Sequence, residues 1–379
     1  MSQPGETLDI RAAVTRSPGA PFVIEPVRLR APRGDEVRVR IVATGLCHTD
    51  LIVRDQHYPV PLPAVLGHEG AGVVESIGPD VRHVAPGDHV VLTFGHCGQC
   101  RHCRDEAPTY CDDFFGRNFG GAGPTGAHVL TDADGKALND HFFTQSSLAT
   151  HAMSRENSVV PVRRDAPLAL LGPLGCGIQT GAGAVMNTLQ VATGSDIAIF
   201  GAGSVGLSAV LAARAAGAAR IIVVDRLASR LALAAELGAT DIVDAGENDA
   251  LDVIARLTGE NGVRFAVEST GNTTVLRQSI AVLGKRGTVA VVGAPALGAE
   301  SQFDVNDLLI GGKQIRGVVE GDSVPGRFIP ALVDLYLAGR FPFDRLVRYY
   351  DFADINQVVA DSEQGITLKP ILTMDSAGP

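Results

Sequence analysis

The sequence predicts an α/β protein of two domains, one mainly β and one built around a doubly wound parallel sheet. The chain has 379 residues, which is enough for two hydrophobic cores. Before about residue 180, short alternating runs are broken by Gly and Pro, which is typical of closely spaced strands. After that point, short apolar runs alternate with Ala- and Leu-rich segments of helical spacing, and this alternation predicts a parallel sheet covered on both faces.

The N-terminal part contains the predicted strands of the first domain. In EVRVRIVATG at 36–45, apolar residues alternate with Arg38 and Arg40, and this period of two predicts a half-buried strand. Spaced runs of this kind predict a compact, mainly β unit. Further runs of the same kind are GAGVVESIG at 70–78 and GDHVVLTF at 87–94.

The second part changes to strand, helix, strand. DIAIF at 196–200 and RIIVVD at 220–225 are predicted buried strands, and SVGLSAVLAARAAGA at 204–218 is the helix between them. The alternation continues through ASRLALAAELGA (228–239), RFAVEST (264–270), TTVLRQSIAVLG (273–284) and GTVAVVGAP (287–295). In the tail, FIPALVDLYLAG predicts an amphipathic helix.

Composition and charge exclude several classes of function. A formal net charge of −10 argues against nucleic acid or an anionic membrane as a partner, since both require a basic face. The N-terminal stretch does not have the pattern of a secretory signal, and no uncharged stretch reaches about 18 apolar residues. We therefore expect a soluble, cytoplasmic protein, in which clustered cysteines are metal ligands rather than disulfides.

Four of the six cysteines lie in CGQCRHCRDEAPTYC at 97–111. Together they can fill every position of a tetrahedral zinc site, and such closed sites are structural. No ligand position is left for water or substrate. The cluster is therefore predicted to stabilise a lobe that has little hydrophobic core of its own. These four are Cys97, Cys100, Cys103 and Cys111.

The stretch GAGSVG, from Gly201 to Gly206, fits the dinucleotide-binding pattern G-x-G-x-x-G. It follows a predicted strand and opens a predicted helix. Gly201 allows the tight turn, Gly203 lets the pyrophosphate approach the backbone, and Gly206 lets the helix pack on the strand. Asp225, at the end of the next strand, can accept both adenosine-ribose hydroxyls, which favours NAD over NADP. Arg226 is the counter-indication, because it could pair with a 2′-phosphate.

Two cysteines lie outside the cluster, Cys47 in GLCHTD and Cys176 in GPLGCGIQTGAG, and LGHEGAG supplies His68 and Glu69. Two cysteines and one histidine form a known catalytic-zinc set that leaves the fourth position open. Taken alone, a buried cysteine is usually a small hydrophobic residue and a histidine is usually only a hydrogen-bonded side chain. Their occurrence beside a dinucleotide motif and a second cysteine cluster favours a metal site.

These motifs together resemble those of the zinc-dependent medium-chain alcohol dehydrogenases, from about residue 10 to residue 374. CHTDL, GPLGCGIQTGAG and VVEGDSVP are most similar to the aryl-alcohol (benzyl alcohol) and terpene-alcohol branch. The resemblance implies a GroES-like β-rich catalytic domain at 1–178 and 320–379 and a Rossmann NAD-binding domain at 179–319, with the catalytic zinc in the cleft between them. The other motifs that carry it are GHEGAGVVESIG, C-x2-C-x2-C-x7-C and GTVAVVGAP.

The resemblance also implies two zinc ions per chain, one structural in the cysteine cluster and one catalytic on Cys47, His68 and Cys176. Thr49 would take the proton of the alcohol. Glu69 would lie close behind the metal and could replace a ligand transiently, and Asp50 would orient His68. The implied cofactor contacts are His48, Gly201, Gly203, Ser204, Val205, Gly206, Asp225, Arg226, Arg230, Val292 and Lys369.

Two positions depart from the family pattern. Where well-known members have a histidine that completes a proton relay, this chain has Ile52, which cannot carry a proton. Where they often have an arginine on the pyrophosphate, it has His48, so we expect weaker and pH-dependent cofactor binding. Lys369 is the implied second phosphate contact, with a point charge in place of a guanidinium fork.

The predicted reaction is reversible hydride transfer between a primary aryl or allylic alcohol and NAD, which gives the aldehyde. By family analogy the chain forms a homodimer or homotetramer through the sheet of the dinucleotide domain. Tyr58 and either Thr93 or Phe94 fall in regions that line the substrate pocket in relatives. Three alternatives remain at this point: a zinc relative acting on aliphatic alcohols, polyols or glutathione-linked formaldehyde; a zinc-free quinone-type reductase; and a non-enzymatic zinc-ribbon protein.

Overall fold

The structure, a computed structural model, describes residues 6–374, and the chain folds into two compact units. The first comprises the chain up to Cys176, Val324–Leu337 and the chain from Asp344 onward; the second comprises Gly177–Ser323 and Ala338–Phe343. The sequence-based bounds differ from this division mainly at Ala338–Phe343, where Phe341 and Phe343 are completely buried. The outermost residues of those bounds lie outside the described range.

The strands are β1 (Leu8–Thr15), β2 (Val23–Leu29), β3 (Glu36–Gly45), β4 (Ala64–Val65), β5 (Glu69–Ile77), β6 (His89–Leu92), β7 (Leu130–Thr131), β8 (His151–Arg155), β9 (Val159–Pro161), β10 (Asp196–Phe200), β11 (Arg220–Asp225), β12 (Asp241–Asp244), β13 (Val263–Glu268), β14 (Leu283–Val291), β15 (Gln314–Gly317), β16 (Val347–Asp351) and β17 (Lys369–Thr373). The α-helices are α1 (His48–Arg54), α2 (Arg101–Arg104), α3 (Phe114–Phe119), α4 (Gly177–Gly183), α5 (Ser204–Ala216), α6 (Ala228–Leu237), α7 (Ala250–Thr258), α8 (Thr273–Ala281), α9 (Val305–Gly311), α10 (Pro325–Leu337) and α11 (Ile355–Glu363).

The first unit is built from two sheets. One has the strand order β4-β1-β2-β7, and the other has the order β16-β17-β3-β5-β6-β9, with β8 also pairing with β3. The C-terminal strand β17 runs antiparallel to β3 and pairs with its last residues. The tail of the chain is therefore part of the same sheet as the N-terminal strands.

The strand β3 is more buried than its alternating pattern predicts. Arg38 is completely buried; its Nε lies 2.9 Å from Glu75 Oε2, and its Nη1 donates to the carbonyl of Glu6. The prediction of a half-buried strand is therefore wrong at Arg38, whereas Arg40 is exposed as predicted. The strand lies inside its sheet, with β5 on one side and β8 and β17 on the other. An arginine can occupy such a strand when its charge is paired.

The second unit contains a six-stranded sheet of order β12-β11-β10-β13-β14-β15, and its strand pairings are all parallel. The chain moves outward from β10 to β12 and then returns to the other side of β10 at β13. This reversal at β10 is a topological switch point, and ligands of open parallel sheets bind beside the carboxyl ends of the strands there. The Gly201–Gly206 turn follows β10 directly.

Several elements of the second unit were not predicted from the sequence. The four-residue strands β12 and β15 are too short for a period to be evident, and both lie at sheet edges. The helix α7, by contrast, has a clear start signal, since Asp249 accepts a hydrogen bond from Leu251 N–H. In residues 6–374, no helix has both the length and the apolar character needed to cross a membrane.

Candidate active site and dinucleotide site

The first unit brings together four side chains that are far apart in the sequence. Cys47 lies between β3 and α1, His68 and Glu69 lie at the start of β5, and Cys176 follows a short 3₁₀ turn, Gly172–Gly175. One potential ligand atom from each of the four lies within 4.8 Å of those of the other three. The three predicted zinc ligands and the predicted acidic neighbour therefore form one cluster.

Cys176 reaches this cluster because the turn before it packs directly on the backbone of the sheet. A Cβ at Gly172 would lie 2.1 Å from the carbonyl oxygen of Glu69, and one at Gly175 would lie 2.1 Å from that of Leu92. Real Cβ atoms do not approach backbone oxygens so closely, so the two glycines permit the approach. The hydroxyl of Thr93 also donates to Gly175 O at 2.9 Å.

Asp50 connects two of the candidate ligands. Its Oδ2 accepts a hydrogen bond from Cys47 N–H at 2.8 Å, and its Oδ1 lies 3.0 Å from His68 Nδ1 and 3.0 Å from Gly67 N. Because Nδ1–H donates to the carboxylate, the other ring nitrogen, Nε2, carries the lone pair.

The donor set fits zinc. His68 Nε2 is buried and has no hydrogen-bond partner among the described residues, and such an orphaned atom is expected of a metal ligand. Two thiols and one imidazole suit zinc by softness and number, and the set leaves one tetrahedral position for a substrate or water.

The electrostatics of the cluster favour the charged form of Cys47. Its hydrogen bond with Cys176 lowers the pKa of the Cys47 thiol well below its ordinary value; burial opposes this, and the charge of Lys369 adds to it. Burial lowers the pKa of His68, but the charge and hydrogen bond of Asp50 outweigh burial and raise that pKa well above the ordinary value. A metal ion competes with this proton for the ring, so metal binding releases protons.

Lys369 is buried against the carboxylate of Glu69. Its Nζ donates to Glu69 Oε1 at 2.8 Å and to Oε2 at 3.0 Å, and its side chain is 1% exposed. Burial raises the pKa of Glu69, and the charge of Lys369 partly offsets this. The predicted pyrophosphate contact of Lys369 stays a prediction, whereas its pairing with Glu69, 300 residues away in the sequence, was not foreseen by sequence reasoning.

The helix α1 carries the remaining predicted residues of this site. Thr49 is half-buried, and its Oγ1 lies 3.9 Å from Cys47 Sγ, so the hydroxyl is next to the ligand cluster. His48 is exposed and Ile52 is half-buried. The roles of Thr49 and His48 stay predictions.

An aromatic wall extends from the ring of His68. Phe143 stacks on that ring with centroids 4.5 Å apart, and Phe142 meets it edge-on at 5.3 Å. At the far end of the wall, Phe115 is 52% exposed and stacks on Phe119 at 4.7 Å. The wall consists of Tyr58, Phe115, Phe119, Phe142 and Phe143.

Sequence reasoning found only Tyr58 among these rings. The missed signal is two aromatic-dense stretches, FFGRNF at 114–119 and HFF at 141–143, in a chain that is only 5% aromatic. The other pocket candidates, Thr93 and Phe94, are both completely buried. Phe94 belongs to the hydrophobic core of the first unit, as do Phe119, Phe142 and Phe143, so Tyr58 and Phe115 are the more accessible rings of the wall.

The four clustered cysteines also converge, with their sulfur atoms within 4.8 Å of one another. The N–H groups of Gln99 and Cys100 lie 3.4 Å and 3.2 Å from Cys97 Sγ. Burial raises the pKa of Cys97, but these N–H groups and the neighbouring thiols lower it to about 6. Backbone donors that favour thiolate suit a closed structural zinc site.

The dinucleotide motif forms the turn from β10 into α5. Gly201 has φ of +95°, and Gly203 precedes the helix, whose first residues are Ser204 and Val205. A Cβ at Gly206 would lie 1.8 Å from the carbonyl oxygen of Gly201, whereas a Cβ at Gly203 would meet nothing within 4 Å. The helix therefore packs tightly on the turn, and the space beside Gly203 stays open, as a pyrophosphate requires.

Asp225 is held in place at the end of β11. Its Oδ2 accepts from Ala202 N–H at 2.6 Å, and its Oδ1 accepts from Arg226 N–H at 2.7 Å and Leu227 N–H at 2.9 Å. A carboxylate has about four acceptor positions, so one remains available for a ribose hydroxyl.

The other predicted cofactor contacts of the second unit differ in exposure. Arg226 is exposed, Arg230 is half-buried, and Val292 is half-buried just after β14. The Arg230 Nε has no hydrogen-bond partner within residues 6–374.

Comparison with known proteins connects both sites to one family. The model of an alcohol dehydrogenase GroES-like domain matches residues 33–138, and that of a zinc-binding dehydrogenase matches residues 204–337. A geraniol dehydrogenase from Castellaniella defragrans is 47% identical, over 98% of this chain and all of its own. A probable S-(hydroxymethyl)glutathione dehydrogenase from Schizosaccharomyces pombe is 35% identical, over 99% of this chain and all of its own.

A solved structure gives the same result. The crystal structure of benzyl alcohol dehydrogenase from Acinetobacter calcoaceticus has 56% sequence identity to this chain and a TM-score of 0.94. The match covers 97% of this chain and all of that one.

Zinc content separates the two metal sites. We expect two zinc ions per chain, and replacement of either Cys103 or Cys47 by alanine should reduce this number to one. Cys103→Ala should also lower the melting temperature by about 4 °C or more, which corresponds to roughly 1–2 kcal/mol in the free energy of unfolding. The reason is that the metal bound at this site holds together a lobe of the first unit. Cys47→Ala should change the melting temperature less. Elemental analysis and thermal melting test this; a zinc-free wild type, or a Cys103 variant of unchanged stability, would contradict it.

The glycine turn gives a matched pair of variants. Gly206→Ala should destabilise the second unit by about 1–3 kcal/mol, because the new Cβ collides with backbone. Gly203→Ala should leave stability unchanged, because its Cβ would enter open space. It should weaken NADH binding by about tenfold or more, a loss of about 1.4 kcal/mol in binding free energy, because that space is where the pyrophosphate is expected. Thermal melting and NADH titration measure the two effects. Tight NADH binding by the Gly203 variant would refute the assignment of the pyrophosphate site.

Proposed function

The chain belongs to the zinc-dependent medium-chain alcohol dehydrogenases, and on this premise we propose that it oxidises primary aryl and allylic alcohols to aldehydes with NAD, reversibly. The aromatic wall beside His68 carries the substrate assignment. Flat unsaturated groups pack well on aromatic faces, whereas the additional hydroxyls of a polyol would lose hydrogen bonds there. The names of the geraniol and benzyl alcohol dehydrogenases agree with this class.

Zinc held by Cys47, His68 and Cys176 would supply Lewis acidity to the substrate oxygen, and NAD would supply the hydride acceptor. The side chains of the chain prepare this chemistry. Asp50 fixes the tautomer of His68 and orients its ring through the 3.0 Å contact with Nδ1. Thr49, whose hydroxyl lies 3.9 Å from Cys47 Sγ, takes the proton of the alcohol. Ile52 cannot carry that proton further, so the proton leaves by a route that does not use this position.

The carboxylate of Asp225 determines the choice of cofactor. Three backbone N–H groups hold it at the end of β11, where it can accept from the adenosine ribose. The same charge repels a 2′-phosphate. The side chain of Arg226, which could attract such a phosphate, is exposed, so burial does not fix it in a position to do so. The enzyme therefore uses NAD in preference to NADP.

Alternative functions receive less support. The glutathione-linked alternative corresponds to a relative of lower identity, 35% against 47% for the geraniol dehydrogenase. A quinone-type reductase generally lacks the zinc ligands that are assembled here. Relatives that match nearly the whole chain disfavour the zinc-ribbon alternative.

An NAD-linked oxidation screen tests the substrate class. Benzyl alcohol and geraniol should exceed ethanol in kcat/KM by about tenfold or more and exceed a polyol further, and a chelator should abolish the activity. Tyr58→Leu should lower the preference for benzyl alcohol over ethanol by about 3- to 10-fold, because one ring of the wall is lost. Tyr349→Leu, which removes an exposed ring outside the wall, is the control. Activity on the polyol alone would refute the proposal.

We further propose that two copies of the chain pair through β15. This strand lies at the edge of its sheet, and its residues are exposed. The neighbouring helix α9 exposes Leu309 and Ile310 by 74% and 77%. An edge strand beside exposed apolar residues is stabilised when a second copy extends the sheet. The assembly is a dimer, or a tetramer built from such dimers.

Light scattering coupled to size-exclusion chromatography tests this pairing. Ile310→Lys should shift the protein to a smaller species, because a charge replaces an apolar contact at the interface. Ile366→Lys changes another exposed isoleucine, which is 58% exposed and belongs to the first unit, and it should not alter the mass. A monomeric wild type, or an Ile310 variant with the wild-type mass, would contradict the proposal.

The cytoplasmic location stays a prediction. Within residues 6–374, none of the six cysteines forms a disulfide.

A further inference from the structure

A buried ammonium holds the carboxylate that lies beside the zinc ligands. Lys369 Nζ bonds to both oxygens of Glu69, at 2.8 Å and 3.0 Å, and the two side chains are 1% and 0% exposed. An oxygen of the same carboxylate lies within 4.8 Å of the donor atoms of Cys47, His68 and Cys176. Glu69 thus stands next to the ligand set while both of its oxygens are engaged by Lys369.

Backbone pairing in the first unit builds this arrangement. Glu69, the first residue of β5, pairs with Gly45 at the end of β3, and Gly45 also pairs with Ile371 of β17, the strand that begins at Lys369. A Cβ at Gly45 would lie 2.0 Å from Glu69 Oε2. The space left by the missing side chain holds the carboxylate, and β17 brings the ammonium to it. The ion pair is therefore a fixed part of the sheet rather than a mobile surface contact.

Charge balance explains why this position carries a cation. Two thiolates and the carboxylates of Glu69 and Asp50 place four negative charges in a buried site, where a zinc ion supplies only two positive ones and three hydrogen-bond donors stabilise Asp50. The ammonium of Lys369 supplies a third positive charge, and buried charges persist only when they are compensated. Without it, the carboxylate would turn to the nearest remaining cation. Carboxylate oxygens are ordinary zinc ligands, and a set of two cysteines and one histidine leaves a tetrahedral position open.

We propose that Lys369 is a positioning residue that keeps Glu69 off the zinc and so keeps the fourth ligand position open to the substrate oxygen. This role is distinct from the phosphate contact predicted for Lys369. The inference rests on the proposed function in one respect, the zinc on Cys47, His68 and Cys176. It concerns the number of ligands and is independent of which alcohol reacts.

In the test, cobalt(II) replaces the catalytic zinc, and imidazole serves as a probe of the open ligand position. The affinity for imidazole is measured from the change in the visible absorption spectrum of the cobalt site. The wild type and Lys369→Arg, which keeps the charge, should bind imidazole. Lys369→Met should bind it at least about tenfold more weakly, because apparent affinity falls with the fraction of sites that remain open. The double variant Lys369→Met/Glu69→Gln should recover the wild-type affinity, since an amide is a poor ligand for the metal.

Two results would overturn the proposal: wild-type imidazole binding by Lys369→Met, or a loss that the double variant does not recover although its metal content and melting temperature are normal. If Lys369→Met does not fold, Lys369→Gln, which keeps hydrogen-bond donors without the charge, takes its place with the same expectations. A merely structural role for Lys369 would not give recovery on changing Glu69. Imidazole binding in the expected pattern without oxidation of benzyl alcohol would refute the substrate assignment and support this inference.

Discussion

The carboxylate of Asp50 accepts hydrogen bonds from Cys47 N–H, Gly67 N–H and the ring of His68, and it is completely buried. These three donors belong to the start of α1 and to the loop before β5, so one side chain connects two of the proposed zinc ligands. A buried carboxylate with three donors is stable only in this arrangement, because each lost donor would leave a charge without compensation. The position of the zinc site, and hence of Thr49 on α1, depends on it.

The same rule of compensation extends through the site. Glu69 is paired with Lys369, and Arg38 on β3 is paired with Glu75, although an alternating pattern would place an arginine in solvent. The sheet of the first unit therefore carries charge through its interior, and each charge has a partner supplied by another strand. The aromatic wall covers the other side of His68 with rings that offer no competing ligands. Polar groups and apolar surface meet at this histidine, as a site for an alcohol with an unsaturated group requires.

Sequence reasoning worked best where the signal is local. The strands at 196–200 and 220–225 have the predicted bounds. A short apolar run that is bounded by turn residues is sufficient to predict where a buried strand begins and ends. The glycines at 201 and 206 were likewise identified from the turn alone, and the structure gives each the steric reason expected of it. Edge strands such as β12 and β15 were missed, since four residues cannot show a period. Of the aromatic wall only Tyr58 was noted, because its rings come from three separate segments and meet only through packing.

The sequence by itself determined the chemistry of the protein: which side chains can hold zinc, which turn can hold a dinucleotide, and which family the motifs resemble. These features depend on residue types and short spacings, which can be read directly from the linear sequence. The tertiary structure alone decided how the charges near the zinc are paired. Lys369 meets Glu69 across 300 residues because β17 pairs with the end of β3, and no local pattern records that pairing. Long-range strand pairing therefore decides whether a carboxylate next to the metal is a ligand or a neighbour.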